Sequence, residues 1–133
     1  MSTIATTPRA TVEDLYHVSE KAEIINGEII RMPATGGRPG YAGDEIYSSL
    51  RSYVRMNQRG RAVSDNKGFI VNLPNRNSFS PDAAYYVGPD PGMKFYQGAP
   101  IIAAEVRSEN DYGLRAEEAM TGKRADYYNG PRN

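Results

Sequence analysis

The chain of 133 residues carries 16 basic and 16 acidic side chains and no net charge, and the two signs balance within each half, 1–66 and 67–133. A length of this order suits one domain, and the neutral balance argues against the cationic face of a high-affinity nucleic-acid binder while leaving room for local arginines around a cleft. With no cysteine and a single histidine, His17, disulfide frameworks, thiolate zinc sites and His-rich metal sites are excluded and a Ser-His-Asp triad is improbable, so any bound metal must be held by oxygen. No charged-then-apolar leader occurs, nor an apolar run near the ~20 residues that span a bilayer, and a soluble cytoplasmic protein is expected.

Residues 1–10 are small, polar and proline-containing and are expected to be disordered, with a single domain over 11–133. Thr11 and Asp14 are spaced as a capping box for a short helix whose apolar face is Val12, Leu15 and Tyr16. His17, at its end, is read as structural or surface. Next, Asn26-Gly27 between Glu23-Ile24-Ile25 and Glu28-Ile29-Ile30 predicts a type I′ hairpin, because both turn positions need positive φ. The implied pairing puts Glu23, Ile25, Glu28 and Ile30 on one face and Ala22, Ile24 and Ile29 on the other. The two acids are then either rim residues, or one of them looks into a cleft.

A loop over 34–40 leads into a helix of roughly 42–57, where Ile46, Leu50, Tyr53 and Val54 recur at helical spacing. Arg51, Arg55 and Arg59 collect toward its far end, either as a solvated face that complements the helix dipole or as a track for phosphates. Gly60 is its expected stop. Residues 62–65 and 68–73 read as a second hairpin around 66–68, followed by a polar loop at Pro74–Asn77. Pro81-Asp82 then opens an apolar run that Gly88-Pro89-Asp90-Pro91-Gly92 must end. The run 99–106 is apolar up to Glu105, which suits a central strand covered on both faces. Asp82 and Glu105 either lie at solvated strand ends or face one another as hard oxygen ligands. In the last helix, about 114–128, Lys123 shares a stripe with Ala116, Ala119, Met120 and Tyr127. It either snorkels to the edge or meets a buried acid.

Phe79-Ser80-Pro81-Asp82, the run from Glu105 to Gly113, and Lys123-Arg124-Ala125-Asp126-Tyr127-Tyr128 together resemble the Uma-two family of restriction endonucleases, a branch of the PD-(D/E)XK nuclease superfamily. The similarity starts near Thr11, takes in the 22–30 hairpin and runs to the end of the chain. It implies an α/β fold of restriction-endonuclease type, a mixed central sheet flanked by helices. It also implies a hydrolase, a Mg²⁺- or Mn²⁺-dependent endonuclease acting on DNA. The catalytic residues would be Asp82, Glu105 and Lys123; the metal would be held by Glu23, Asp82, Glu105 and the Val106 carbonyl; Arg107 would contact phosphate. Arg107 stands where the superfamily usually has a lysine, and an arginine cannot give up its proton; the resemblance implies that the lysine role is supplied from the following helix, at the position Lys123 matches.

Two departures accompany the resemblance. Tyr41 stands where many members carry a histidine. The family continues past the last helix with a Trp-containing strand, whereas this chain has no Trp, which implies a domain lacking its last strand and a sheet edge that favours homo-oligomers. The competing reading is a non-catalytic binding or assembly module of nuclease fold, or an inactive truncated remnant. DNA is the expected partner and no membrane is involved.

Overall fold

The computed structural model describes residues 8–108 and 111–131. The disorder expected for 1–10 therefore falls largely, at 1–7, outside the described residues, as do 109–110 and 132–133. Ala10 is tied down, its N–H donating to the Gly27 carbonyl at 2.7 Å.

The elements in chain order are α1 (Val12–Tyr16), β1 (Ala22–Ile25), β2 (Glu28–Arg31), α2 (Gly37–Asn57), β3 (Arg61–Val63), β4 (Phe69–Leu73), β5 (Arg76–Phe79), β6 (Ala83–Tyr86), β7 (Tyr96–Gln97), β8 (Ile102–Ala104) and α3 (Leu114–Asn129). The architecture is mixed α/β, as expected. Its strands divide into a five-stranded mixed sheet, β2-β1-β5-β4-β7, and a three-stranded antiparallel sheet, β3-β6-β8. The division falls between β5 and β6, at Ser80-Pro81-Asp82, where a proline without an N–H interrupts the ladder.

Local signals gave local structure. Thr11 and Asp14 form the reciprocal capping box, and Asn26 and Gly27 take φ of 51° and 75° in the turn of the β1–β2 hairpin, pairing Ile25 with Glu28 and Glu23 with Ile30. Ala22 and Ile24 pack on Leu15 of α1. Glu23, on the opposite face, is just as deeply buried.

Pairing at longer range differs from expectation. Instead of forming a hairpin with β4, β3 pairs with β6, joining Val63 to Ala84 and Arg61 to Tyr86. The antiparallel partner of β4 is β5, which includes Arg76 and Asn77 of the stretch read as a polar loop. Arg76 and Ser78 are buried there because hydrogen bonds satisfy them, and such a strand carries no apolar alternation to reveal it. Nor is β8 central: it is the edge of the small sheet, paired to β6, and Ile101 and Ile102 remain 45% and 48% exposed.

Helix α2 begins five residues earlier than expected, because Pro39 falls in the first turn, where its missing N–H has no acceptor to satisfy. It ends at Gln58 in the left-handed region, ahead of Gly60. Its inner face is Gly43, Tyr47, Leu50 and Val54, while Ile46 and Tyr53 of the expected stripe are exposed. The main core joins both sheets through Val63, Phe69, Val71, Phe79, Ala84, Tyr86 and Ala99.

Candidate active site

Helix α3 turns a polar stripe toward the sheets, Lys123, Asp126 and Tyr127, spaced three and four residues apart and so on one face. Lys123 Nζ lies 3.0 Å from Glu23 Oε2 and 2.8 Å from Glu105 Oε1, bridging β1 of the larger sheet to the segment that leaves β8 of the smaller one. Asp126 accepts from Arg76 Nε and Asn75 Nδ2, both at 2.9 Å. Tyr127 donates its hydroxyl to Glu105 Oε1 at 2.8 Å and stacks on Phe79 at 3.7 Å between ring centroids. The expected apolar face is only partly used, for Ala119 is exposed and Met120 half-buried. The lysine thus meets buried acid, as the second of the two sequence readings required.

Glu23 sits at the centre of this network and is 1% exposed. Its Oε1 accepts from Arg76 Nη1 at 2.9 Å, and its Oε2 accepts from the Ser80 N–H at 2.6 Å and from Lys123. Burial alone would raise its pKa, but Lys123 and Arg76, with the Ser80 N–H, outweigh that and hold the carboxyl below its ordinary range. Glu105 goes the other way. Burial raises it, Lys123 and the Tyr127 hydroxyl offset this only in part, and the negative Glu23 adds to the rise. Tyr127, buried beside Glu105 and Glu23, is held far above the usual phenol range.

Asp82 lies just ahead of β6. The β6–β8 register pairs Ala83 with Ala104, and the Asp82 N–H donates to the Ala104 carbonyl at 2.9 Å, so continuing the register by one residue sets Asp82 opposite Glu105. Its Oδ2 accepts the Val106 N–H at 2.6 Å. The Val106 contact recorded at Asp82 is therefore a donor, while the sequence reading concerned that residue's carbonyl. Asp82 Oδ1 accepts from Lys21 Nζ at 2.8 Å, and the same ammonium lies 2.5 Å from Asp65 Oδ1. Burial pulls the Lys21 pKa down, but its contacts with Asp65 and Asp82 outweigh this and raise it. Gly43 of α2 backs this corner, since a Cβ there would sit 3.7 Å from Asp82 Cβ.

Arg107 pairs with Glu117 of α3 and lies over the Tyr112 ring at 5.4 Å. Asp111 accepts from both the N–H and the hydroxyl of Ser108, at 2.8 and 2.7 Å. These contacts pin the two ends of the segment that joins Glu105 to α3.

Sequence reasoning missed Lys21 and Arg76. Lys21 precedes a hairpin whose signals concern turn and strand, and its partner Asp82 is 61 residues away. Arg76 fell in an apparent loop. The available clue was a lone arginine two residues after Pro74 in a chain that had to neutralise acids elsewhere, which is too weak to locate a partner.

Among the described residues, no three His, Cys, Asp or Glu side chains are gathered as one metal-ligating group. The donor chemistry still separates the acids. Asp82 and Glu105 are hard oxygen donors on facing segments, 17% and 24% exposed, and the hydrogen bond and ion pair at Glu105 both fall on Oε1. This pair fits an oxygen-bound divalent cation. Glu23, with almost no exposure, fits an anchor for Lys123. Among the described residues no helix is long and apolar enough to cross a membrane. None of the curated proteins compared with the chain matches it. Residues 10–130 match the Uma2 family, described as "putative restriction endonuclease", and with the match spanning nearly the whole of its length, the chain belongs to that family.

Proposed function

We propose that the protein is a divalent-metal-dependent endodeoxyribonuclease that hydrolyses phosphodiester bonds in DNA. The observation that carries this reading is the placement of Asp82 opposite Glu105 across the β6–β8 ladder, with Lys123 on Glu105, in a chain of a restriction endonuclease family. Asp82, Glu105 and the Val106 carbonyl would hold Mg²⁺ or Mn²⁺, which when bound supplies Lewis acidity and a more acidic water. Glu23, itself held by Arg76, fixes Lys123 beside Glu105. The Lys123 ammonium then orients the attacking water or the scissile phosphate. Arg107 reaches a phosphate only by exchanging Glu117 for it, so a phosphate oxygen and a carboxylate compete for one guanidinium.

One observation favours a second reading, a non-catalytic module of nuclease fold: Glu23, Asp82 and Glu105 are each already paired with an internal cation. Nicking of supercoiled plasmid DNA separates the two. The nuclease reading expects nicking with Mg²⁺ or Mn²⁺, none with chelator, and a loss of at least ~100-fold in Asp82→Asn, the scale of removing a metal-holding group. Folded wild-type protein that leaves DNA intact with every divalent metal would favour the binding module.

A further inference from the structure

We propose that Lys21 is a tethered counter-ion of Asp82 that a divalent cation must displace, and that Asp65 is the partner to which it retreats. The inference rests on the metal-dependent reading above. The two oxygens of Asp82 are held differently. Oδ2 takes the Val106 N–H at 2.6 Å, a backbone donor fixed by the chain leaving β8. Oδ1 takes the Lys21 ammonium at 2.8 Å, which sits at the end of a flexible four-carbon stem and can move without disturbing the backbone.

The second contact of Lys21 makes the movement feasible. Asp65 Oδ1 is 2.5 Å from the same ammonium, and the Asp65 side chain is 43% exposed while Lys21 itself is 12% exposed. A cation held by Asp82 would repel the Lys21 ammonium across one carboxylate. Lys21 need not be stranded in a low-dielectric pocket, because it keeps a carboxylate partner that faces water. A second lysine, Lys67, contacts the same turn through Ser64 Oγ at 2.8 Å and the Asp65 carbonyl at 3.1 Å, without touching Asp82. It supplies a charge control from the same corner of the molecule.

Displacement makes Lys21 a determinant of the metal threshold. Removing its charge should tighten metal binding, whereas a group that only braced the fold would leave binding equal or weaker. Calorimetric titration of the folded, full-length protein with MnCl₂ reads this directly. Lys21→Met should bind Mn²⁺ about tenfold more tightly than wild type, the order of one charge-assisted hydrogen bond, while Lys21→Arg stays near wild type and Lys67→Met changes affinity less than about twofold. In the wild-type protein, the Lys21 side-chain methylene resonances next to the ammonium should shift on Mg²⁺ addition while those of Lys67 stay in place, which tests the movement even where Lys21→Met does not fold. Wild-type binding that Lys21→Met fails to tighten, or that Lys67→Met tightens equally, overturns this inference and leaves the metal reading standing. No binding by wild type or Lys21→Met overturns both.

Discussion

Two charged clusters lie on either side of the junction between the sheets, and they are built on opposite terms. Around Glu23, the partners Arg76, Lys123 and the Ser80 N–H close over a carboxylate that is almost fully buried, and Arg76 is itself held by Asp126. Around Asp82, Lys21 is shared with Asp65, whose side chain is 43% exposed. A buried pair is fixed, because removing one member strands the other charge away from solvent. A pair with one half-exposed member, as in Lys21–Asp65, is more screened and exchangeable. The first cluster is therefore scaffold, holding α3 to both sheets with charges where another protein would use leucines. The second is the part able to trade an internal cation for an external one.

The largest test of this contrast is Arg76→Met. It leaves Glu23 and Asp126 without their shared guanidinium, and it should lower unfolding free energy by about 3–5 kcal/mol in urea titration. Adding Glu23→Gln to that variant should recover part of the loss, because it removes one stranded charge. A loss below about 1 kcal/mol for Arg76→Met would show that the network is not the mooring of α3.

Lys123→Met comes next. Lys123 also screens Glu23 from Glu105. The variant should lose both DNA nicking and about 1–3 kcal/mol of stability by calorimetry, the cost of leaving a buried acceptor short of a partner. Nicking retained at the wild-type rate would remove Lys123 from the reaction.

The smallest expected effect distinguishes the two glutamates by pH. The pKa of Glu105 is raised in the folded state from its usual 4.5, so its contribution to stability is complete below pH ~4.5 and is lost as pH rises through the folded value. At pH 7 the ionised form is a burden, and Glu105→Gln should match or exceed wild-type stability by up to ~1 kcal/mol. That advantage should vanish below pH ~4.5. The pKa of Glu23 is lowered from 4.5, so its contribution is present above pH ~4.5 and is lost as pH falls through the folded value. Glu23→Gln should accordingly be less stable than wild type at pH 7, with the gap closing in acid. Chemical denaturation across pH 3–7 checks both signs, and a destabilised Glu105→Gln at pH 7 would contradict the assigned burden.

Features written within a few neighbouring residues were legible before the fold was known. The Thr11–Asp14 capping box and the Asn26-Gly27 turn need only local backbone geometry, and both form as expected. Lys123 was legible as an inward-facing lysine because helical spacing alone puts it on the stripe of Tyr127. Which acids it meets was not, since Glu23 and Glu105 reach it from separate sheets. The strand β5 was hidden because its buried residues are Arg76 and Ser78, satisfied by partners far along the chain. The β3–β4 hairpin was misread because apolar runs record that strands exist, not which neighbour they choose.

The sequence by itself determined the family and the mixed α/β class, and it singled out Asp82, Glu105 and Lys123 as candidates. Only tertiary structure decided that the strands split into two sheets at Pro81, that Glu23 is sealed behind Arg76 while Asp82 stays within reach of solvent, and that Lys21 lies on Asp82. The physical reason is that turns, caps and helical stripes are set by backbone sterics over a few residues. Burial and ion pairing depend instead on which distant segments come together and how much water they exclude, and the three carboxylates acquire different partners and access only there.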